Sequence, residues 1–160
     1  MAGDDGLAAL CPNCGGAGRA PMKVRRVPFD YCFPTLTIPQ GLAATFPLSL
    51  QLDDDSFFEQ THWQLCSGNL SQVNGSAFLV QIVDQSNGWQ FSNAPIMFDN
   101  FATVGYIPFP LVSPYIWRPS SQAQATITVT INPGKNDNPQ LVMRGYKLFA
   151  PDGSPLAVAA

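Results

Sequence analysis

Proline limits what this chain can fold into more than any other residue. Fifteen of its 160 residues are proline, against a single glutamate. Proline fixes φ and carries no N–H, so it kinks or ends a helix wherever it falls inside one, and glutamate is among the residues that helices favour. No stretch reads as a helix of more than one or two turns. What lies between the prolines is a series of short apolar runs rich in Phe, Val, Ile and Thr, punctuated by Pro, Gly, Asn and Asp. That spacing predicts an all-β sandwich or barrel.

The strands follow from alternation. "FPTLTI" at 33–38 is the first candidate. "ATFPLSLQL" at 44–52 places Phe46, Leu48, Leu50 and Leu52 on one face, with Pro47 on the other face suggesting an edge position. "SFFEQTHWQLC" at 56–66 puts Phe57, Glu59, Thr61, Trp63 and Leu65 on one side, and Phe58, Gln60, His62, Gln64 and Cys66 on the other. "AFLVQIVD" at 77–84 reads as a buried strand, and the Asn87-Gly88 pair predicts a hairpin into Trp89–Phe91. Residues 94–119 hold five prolines and are expected to cross between strands in extended pieces. "QATITVTIN" at 124–132 turns Ile127, Val129 and Ile131 inward, and "QLVMRGYKLF" at 140–149 is expected to return beside it as its antiparallel partner. About eight strands with one long irregular crossing fit a jelly-roll-like antiparallel β-sandwich.

At 160 residues the chain suits one domain. Only 12% of its residues are charged, while 46% are hydrophobic. Its surface must then be covered by Ser, Thr, Asn, Gln and exposed apolar atoms, a composition that favours association, and a homo-oligomer is the expectation. The net charge of −3 and pI near 4.7 supply no general attraction to nucleic acid or to an anionic membrane. The N-terminus lacks the apolar run of a secretory signal, and no segment approaches 18 consecutive apolar residues. The sequons Asn69-Leu70-Ser71 and Asn74-Gly75-Ser76 read as turn chemistry. Four unevenly spaced cysteines do not make a secreted disulfide framework, which points to a reducing compartment during synthesis.

Residues 1–28 differ in texture from the rest. They are small, Gly-rich and Pro-rich, with acids in front and Arg19, Lys23, Arg25 and Arg26 behind, and read as an extended N-terminal docking arm. The sandwich is expected over 29–150, followed by a C-terminal tail at 151–160. Within the arm Cys11 and Cys14 form a C-x-x-C pair, and "CPNCGGAG" resembles one repeat of the cysteine-rich zinc domain of J-domain co-chaperones. Zinc needs four N or S ligands, and that family supplies several pairs. The remaining candidate ligands here are Cys32, Cys66 and His62, which makes a zinc site from Cys11, Cys14, Cys32, Cys66 and His62 one reading and thiols in a docked arm the other. Gly15, Gly16 and Gly18 argue against the helix that a thioredoxin-like clasp opens.

Enzyme chemistry finds little to work with. The sequence holds one histidine and one glutamate, and lacks a nucleophile-elbow, metalloprotease or phosphate-loop motif. Asp53-Asp54-Asp55 lacks the spaced ligands of a calcium loop and reads as a turn. Trp63, Trp89 and Trp117 serve either a core or a sugar-binding platform.

From "DDDSFFEQTHWQLC" through "VQIVDQSNGWQFSNAPI" and "SSQAQATITVTIN" to "LVMRGYKLF", residues 53–149 resemble small virion proteins of tailed bacteriophages. That resemblance implies a jelly-roll-like module, without catalytic residues or cofactor, that coats or cements capsid subunits or belongs to a collar or fibre. It implies capsid or other virion proteins as partners and assembly in the host cytoplasm. The sequence reading is therefore a non-enzymatic decoration or cement protein with Arg19, Lys23, Arg25, Arg26 and Trp117 as interface residues. The alternative is a carbohydrate- or receptor-binding module of a viral fibre, distinguished by an exposed Trp89, Tyr106 or Trp117 beside Asp or Asn.

Overall fold

The computed structural model describes residues 23–67, 77–97, 103–104, 109–131 and 136–156. Among these are ten strands: β1 (Arg25–Cys32), β2 (Thr45–Gln51), β3 (Phe57–Ser67), β4 (Ala77–Asp84), β5 (Trp89–Gln90), β6 (Ile96–Met97), β7 (Thr103–Val104), β8 (Phe109–Trp117), β9 (Gln122–Ile131) and β10 (Pro139–Phe149). They form two sheets that share one hydrophobic core, an all-β sandwich. The first sheet runs β1-β10-β3, with β8 and the short β7 on the far edge of β3; the second runs β2-β9-β4, with β5 and β6 beyond β4. Every pairing is antiparallel except the two-residue parallel contact of β7 with β3.

Where alternation is strict, the sequence reading holds. Phe46, Leu48, Leu50 and Leu52 point into the sandwich from β2 and the residue after it, while Thr45, Pro47, Ser49 and Gln51 are exposed. β2 pairs only with β9, so Pro47 does sit on an edge. In β9 Ile127 and Val129 are buried, and Ala123 and Ala125 continue the inward face. Small side chains on this central strand leave room within one cluster for Trp63 and Trp117 of the opposite sheet.

Four expectations are corrected. β9 and β10 are not partners: β9 lies between β2 and β4, while β10 lies between β1 and β3 in the other sheet. "FPTLTI" is not a strand. Pro34 has no N–H to donate, and the segment follows β10 through separate bonds from Phe33 N to Leu141 O (2.9 Å), Leu36 N to Pro139 O (2.9 Å) and Ile38 N to Asp137 O (2.8 Å). It crosses between the sheets with Phe33, Leu36 and Ile38 buried at uneven spacing. The proline-rich stretch after residue 94 contains a nine-residue strand, β8, because a strand paired on one side tolerates Pro110 and Pro114. The arm boundary also moves, since Arg25–Pro28 already pair with Tyr146–Phe149.

β3 departs from simple alternation. Arg144 faces His62 but Gly145 faces Gln60, so Thr61 is the extra residue of a β-bulge. The bulge shifts the side-chain phase, and Phe58 and Gln60 before it share the buried face with Trp63 and Leu65 after it. At the C-terminal end, residues 150–155 turn back through Gly153 (φ 86°), and Pro155 bridges to Phe149.

Candidate functional site

Two polar clusters stand out, one structural and one open to solvent. The first surrounds Lys147, whose side chain is only 10% exposed. Its Nζ lies 2.6 Å from Asp53 Oδ2, 3.1 Å from Asp55 Oδ1 and 4.5 Å from the centre of the Phe29 ring. Tyr31 closes the cluster, donating from its hydroxyl to Asp53 Oδ2 (3.0 Å) and accepting from Asp53 N (3.1 Å). The acidic triplet does connect β2 to β3, but two of its carboxylates neutralise a buried cation from β10. Alternation alone could not show this, because Lys147 sits among residues that read as an ordinary strand.

The electrostatics of this cluster set a pH window. The Ser56 hydroxyl, and after it Lys147, holds the Asp55 carboxyl below its ordinary 3.8. Burial pulls Lys147 down, but its bonds to Asp53 and Asp55 outweigh that and hold it above 10.5. Burial, and the Asp53 carboxylate against the opposing bond from Asp53 N, push Tyr31 from 10.0 up to about 12. A depressed carboxylate stabilises the fold above its unfolded pKa and loses that contribution as pH falls through the folded value. A raised Lys or Tyr stabilises below the unfolded pKa and loses that contribution as pH rises through the folded value. Urea midpoints should therefore be flat from about pH 5 to 9.5 and fall on both sides. Lys147→Met should cost on the order of 1–2 kcal/mol at neutral pH, because both aspartates lose their counter-charge but are exposed enough to rehydrate. It should also blunt the alkaline fall; an unchanged alkaline limb would contradict the assignment.

The second cluster is built on the β4–β5 hairpin and β8. Asp84, 1% exposed at the end of β4, accepts from Ser86 N (3.0 Å) and from the Ser86 hydroxyl on Oδ1, and from the Tyr115 hydroxyl (2.9 Å) on Oδ2. Gly88, at φ 73°, takes the left-handed conformation that closes the turn, and its N–H donates to Asp84 O (2.8 Å). Asn87 spans the turn. Its Oδ1 accepts from Trp89 N (2.8 Å), and its Nδ2 donates to the Tyr115 hydroxyl (3.0 Å). Burial first, and Asp84 against the opposing bond from Asn87, raises Tyr115 to about 12, so the phenol stays protonated as the donor to Asp84.

Trp89 is 56% exposed and lies nearly parallel to Tyr115, with ring centres 6.3 Å apart and planes at 19°. From Tyr115 a series of ring contacts runs inward. Phe91 (4.8 Å) and Trp117 (5.1 Å) both meet Tyr115 edge-on, and Trp63 meets Phe91 at 5.7 Å. The series connects an exposed ring to the centre of the core.

The sequence-predicted site residues are scattered. Trp117 is corrected from interface to core: it is fully buried on the inner face of β8 and donates from Nε1 to Gln60 Oε1 at 2.8 Å. Lys23 and Arg25 are exposed, and Arg26 pairs with Glu59 at 2.7 Å. Arg19, Cys11, Cys14 and Tyr106 lie outside the described residues, as does the side chain of Cys66. Cys32 is exposed on β1, His62 engages Thr61 Oγ1 through Nδ1 (2.8 Å) on β3, and β10 runs between those strands. Sequence reasoning marked Asn87, Gly88 and Trp89 as a hairpin but missed their partner Tyr115, which lies in the proline-rich stretch.

No protein-family model, curated protein or solved structure matches this chain. By fold the chain is a two-sheet, predominantly antiparallel β-sandwich.

Proposed function

We propose that this chain is a non-enzymatic structural protein of a tailed-bacteriophage virion, of the decoration or cement type, that binds neighbouring subunits and stabilises the particle. The nesting of its strand pairs supports the reading. β1 pairs with β10, β2 with β9, β3 with β8 and β4 with β5, the order of a double ribbon rolled into a jelly roll. That wrapping is common to capsid modules, lectins and cupins, and a fold alone does not select among them. The resemblance of residues 53–149 to phage virion proteins favours the first.

The surface supports the same choice. Edge strands β1, β2 and β8 carry Pro28, Pro47 and Pro110 with Pro114, which oppose sheet extension from copy to copy. The outward positions of β2 and β9, from Thr45 to Gln51 and from Gln122 to Thr130, are Thr, Gln, Ser and Pro without a charge. Neighbours would thus be met by faces, loops and the segment before β1.

Because Arg25–Pro28 belong to β1, the arm is best tested by removing residues 1–22. The truncated chain should keep its unfolding free energy in urea within about 0.5 kcal/mol while failing to co-sediment with particles that the full chain decorates. Full binding by the truncated chain would overturn the docking role. Removing residues 1–28 should also destabilise the sandwich, since it takes half of β1 and the Arg26–Glu59 ion pair.

A further inference from the structure

We infer that Trp89, held by Asn87 and backed by Tyr115, is a binding platform for a neutral pyranose unit of a glycan. A pyranose presents a face of C–H groups to an aromatic ring and a rim of hydroxyls to polar groups beside it, so it needs a flat ring open on one side and fixed amide or hydroxyl partners at its edge. The 56% exposure of Trp89, set against Tyr115 at 6.3 Å, supplies the first. The Asn87 carboxamide, exposed and two residues from Trp89, supplies the second: beyond its bonds to Trp89 N and the Tyr115 hydroxyl, its Oδ1 can accept once more and its Nδ2 can donate once more. The Asn87 carboxamide carries no charge, and Tyr115 behind it is, like any phenol, protonated in the neutral pH range. That favours a neutral sugar over an anionic one.

Pre-organisation separates this ring from an incidental surface aromatic. Trp89 is tied at its backbone N–H to Asn87, and Asn87 is tied to Tyr115, which is anchored on the buried Asp84. The backbone that carries Trp89 is thereby fixed, and the near-parallel Tyr115 ring limits where the indole can lie, which lowers the side-chain entropy given up on binding. Among the three tryptophans of the sequence, Trp63 and Trp117 are fully buried, so only Trp89 is placed to meet a large ligand. The inference is independent of the capsid-binding role proposed above; a decoration protein that also held a cell-surface or exopolysaccharide chain would bring its particle to that surface.

Because Trp63 and Trp117 are buried, a change in intrinsic emission on adding a ligand reports on Trp89. The full-length chain titrated with neutral hexose oligosaccharides of differing linkage should show a saturable emission shift with at least one of them at millimolar concentration, and a matched uronic-acid oligosaccharide should bind more weakly. Trp89→Ala should abolish the signal and, by calorimetry, lower affinity about tenfold or more, with Trp89→Phe intermediate. Asn87→Ala should weaken binding too, and Asn87→Asp should restore the turn bond to Trp89 N without restoring Nδ2 as a donor. Thermal unfolding of each variant shows that the fold is kept. Absence of a shift with every neutral oligosaccharide would overturn the inference, as would calorimetric binding undiminished in Trp89→Ala. Dissociation of an oligomer by Trp89→Ala without any glycan response would reassign the ring to a protein contact and equally overturn it.

Discussion

Gly145→Ala is expected to unfold the protein or leave it barely folded. At the bulge between β10 and β3 a Cβ on residue 145 would overlap the Glu59 carbonyl oxygen and stand 2.9 Å from its carbon and 3.0 Å from Gln60 Cα. All three atoms are backbone, so no side-chain rotation relieves the clash. Relief requires β10 to move away from β3, the pairing at the centre of the first sheet. Overpacking against movable side chains costs about 1–3 kcal/mol; a clash with fixed backbone should exceed that and reach about 4 kcal/mol or more, a large part of a typical domain's stability. Urea denaturation measures it. A variant within about 1 kcal/mol of the parent would mean that the bulge is not where the structure puts it.

The second large effect belongs to Trp117. Its indole is fully buried, and its N–H donates to the equally buried Gln60 Oε1 at 2.8 Å. Trp117→Ala should cost about 3–5 kcal/mol from the cavity, and it also leaves the Gln60 oxygen without this donor. Gln60→Leu should cost about 1–3 kcal/mol, because the indole N–H is then buried without its acceptor. The double variant Trp117→Phe with Gln60→Leu removes donor and acceptor together and should be less damaging than the sum of its single changes. Strict additivity in that cycle would show that the two groups do not interact. Gln60→Leu leaves Asn87, Trp89, Tyr115 and Trp117 unchanged, so glycan binding tested in it should survive as long as the fold does.

These two sites also show where sequence reading reached its limit. Strands with regular alternation were legible: β2 through Phe46, Leu48, Leu50 and Leu52, β4 through its apolar run, and β9 through its Thr and Val-Ile alternation. The Asn87-Gly88 turn was legible because Gly88 must take a positive φ. β3 was misphased because an extra residue at Thr61 exchanges the two faces, and no composition rule marks a bulge whose cause, the close approach of Gly145, lies in another strand. β9 and β10 are adjacent in sequence, which favours pairing them, but β9 lies between β2 and β4 in one sheet and β10 between β1 and β3 in the other. β8 was hidden by prolines that an edge strand tolerates. Trp117, in turn, was placed at an interface because its strand was not recognised, and recognising β8 would have set it on an inward face beside Tyr115. The Trp89 platform was half legible for the same reason: the hairpin was in view, and its supporting ring was not.

The central claim is that the chain belongs to a virus particle. Quantitative mass spectrometry of density-gradient-purified particles, released from cells that carry this sequence in a phage genome, tests it most directly. The account predicts the full chain in the particle fraction in fixed stoichiometry to the major capsid protein, retained through the gradient and lost when residues 1–22 are deleted. Particles of normal composition that lack the chain, with the folded protein left in the soluble fraction, would contradict it.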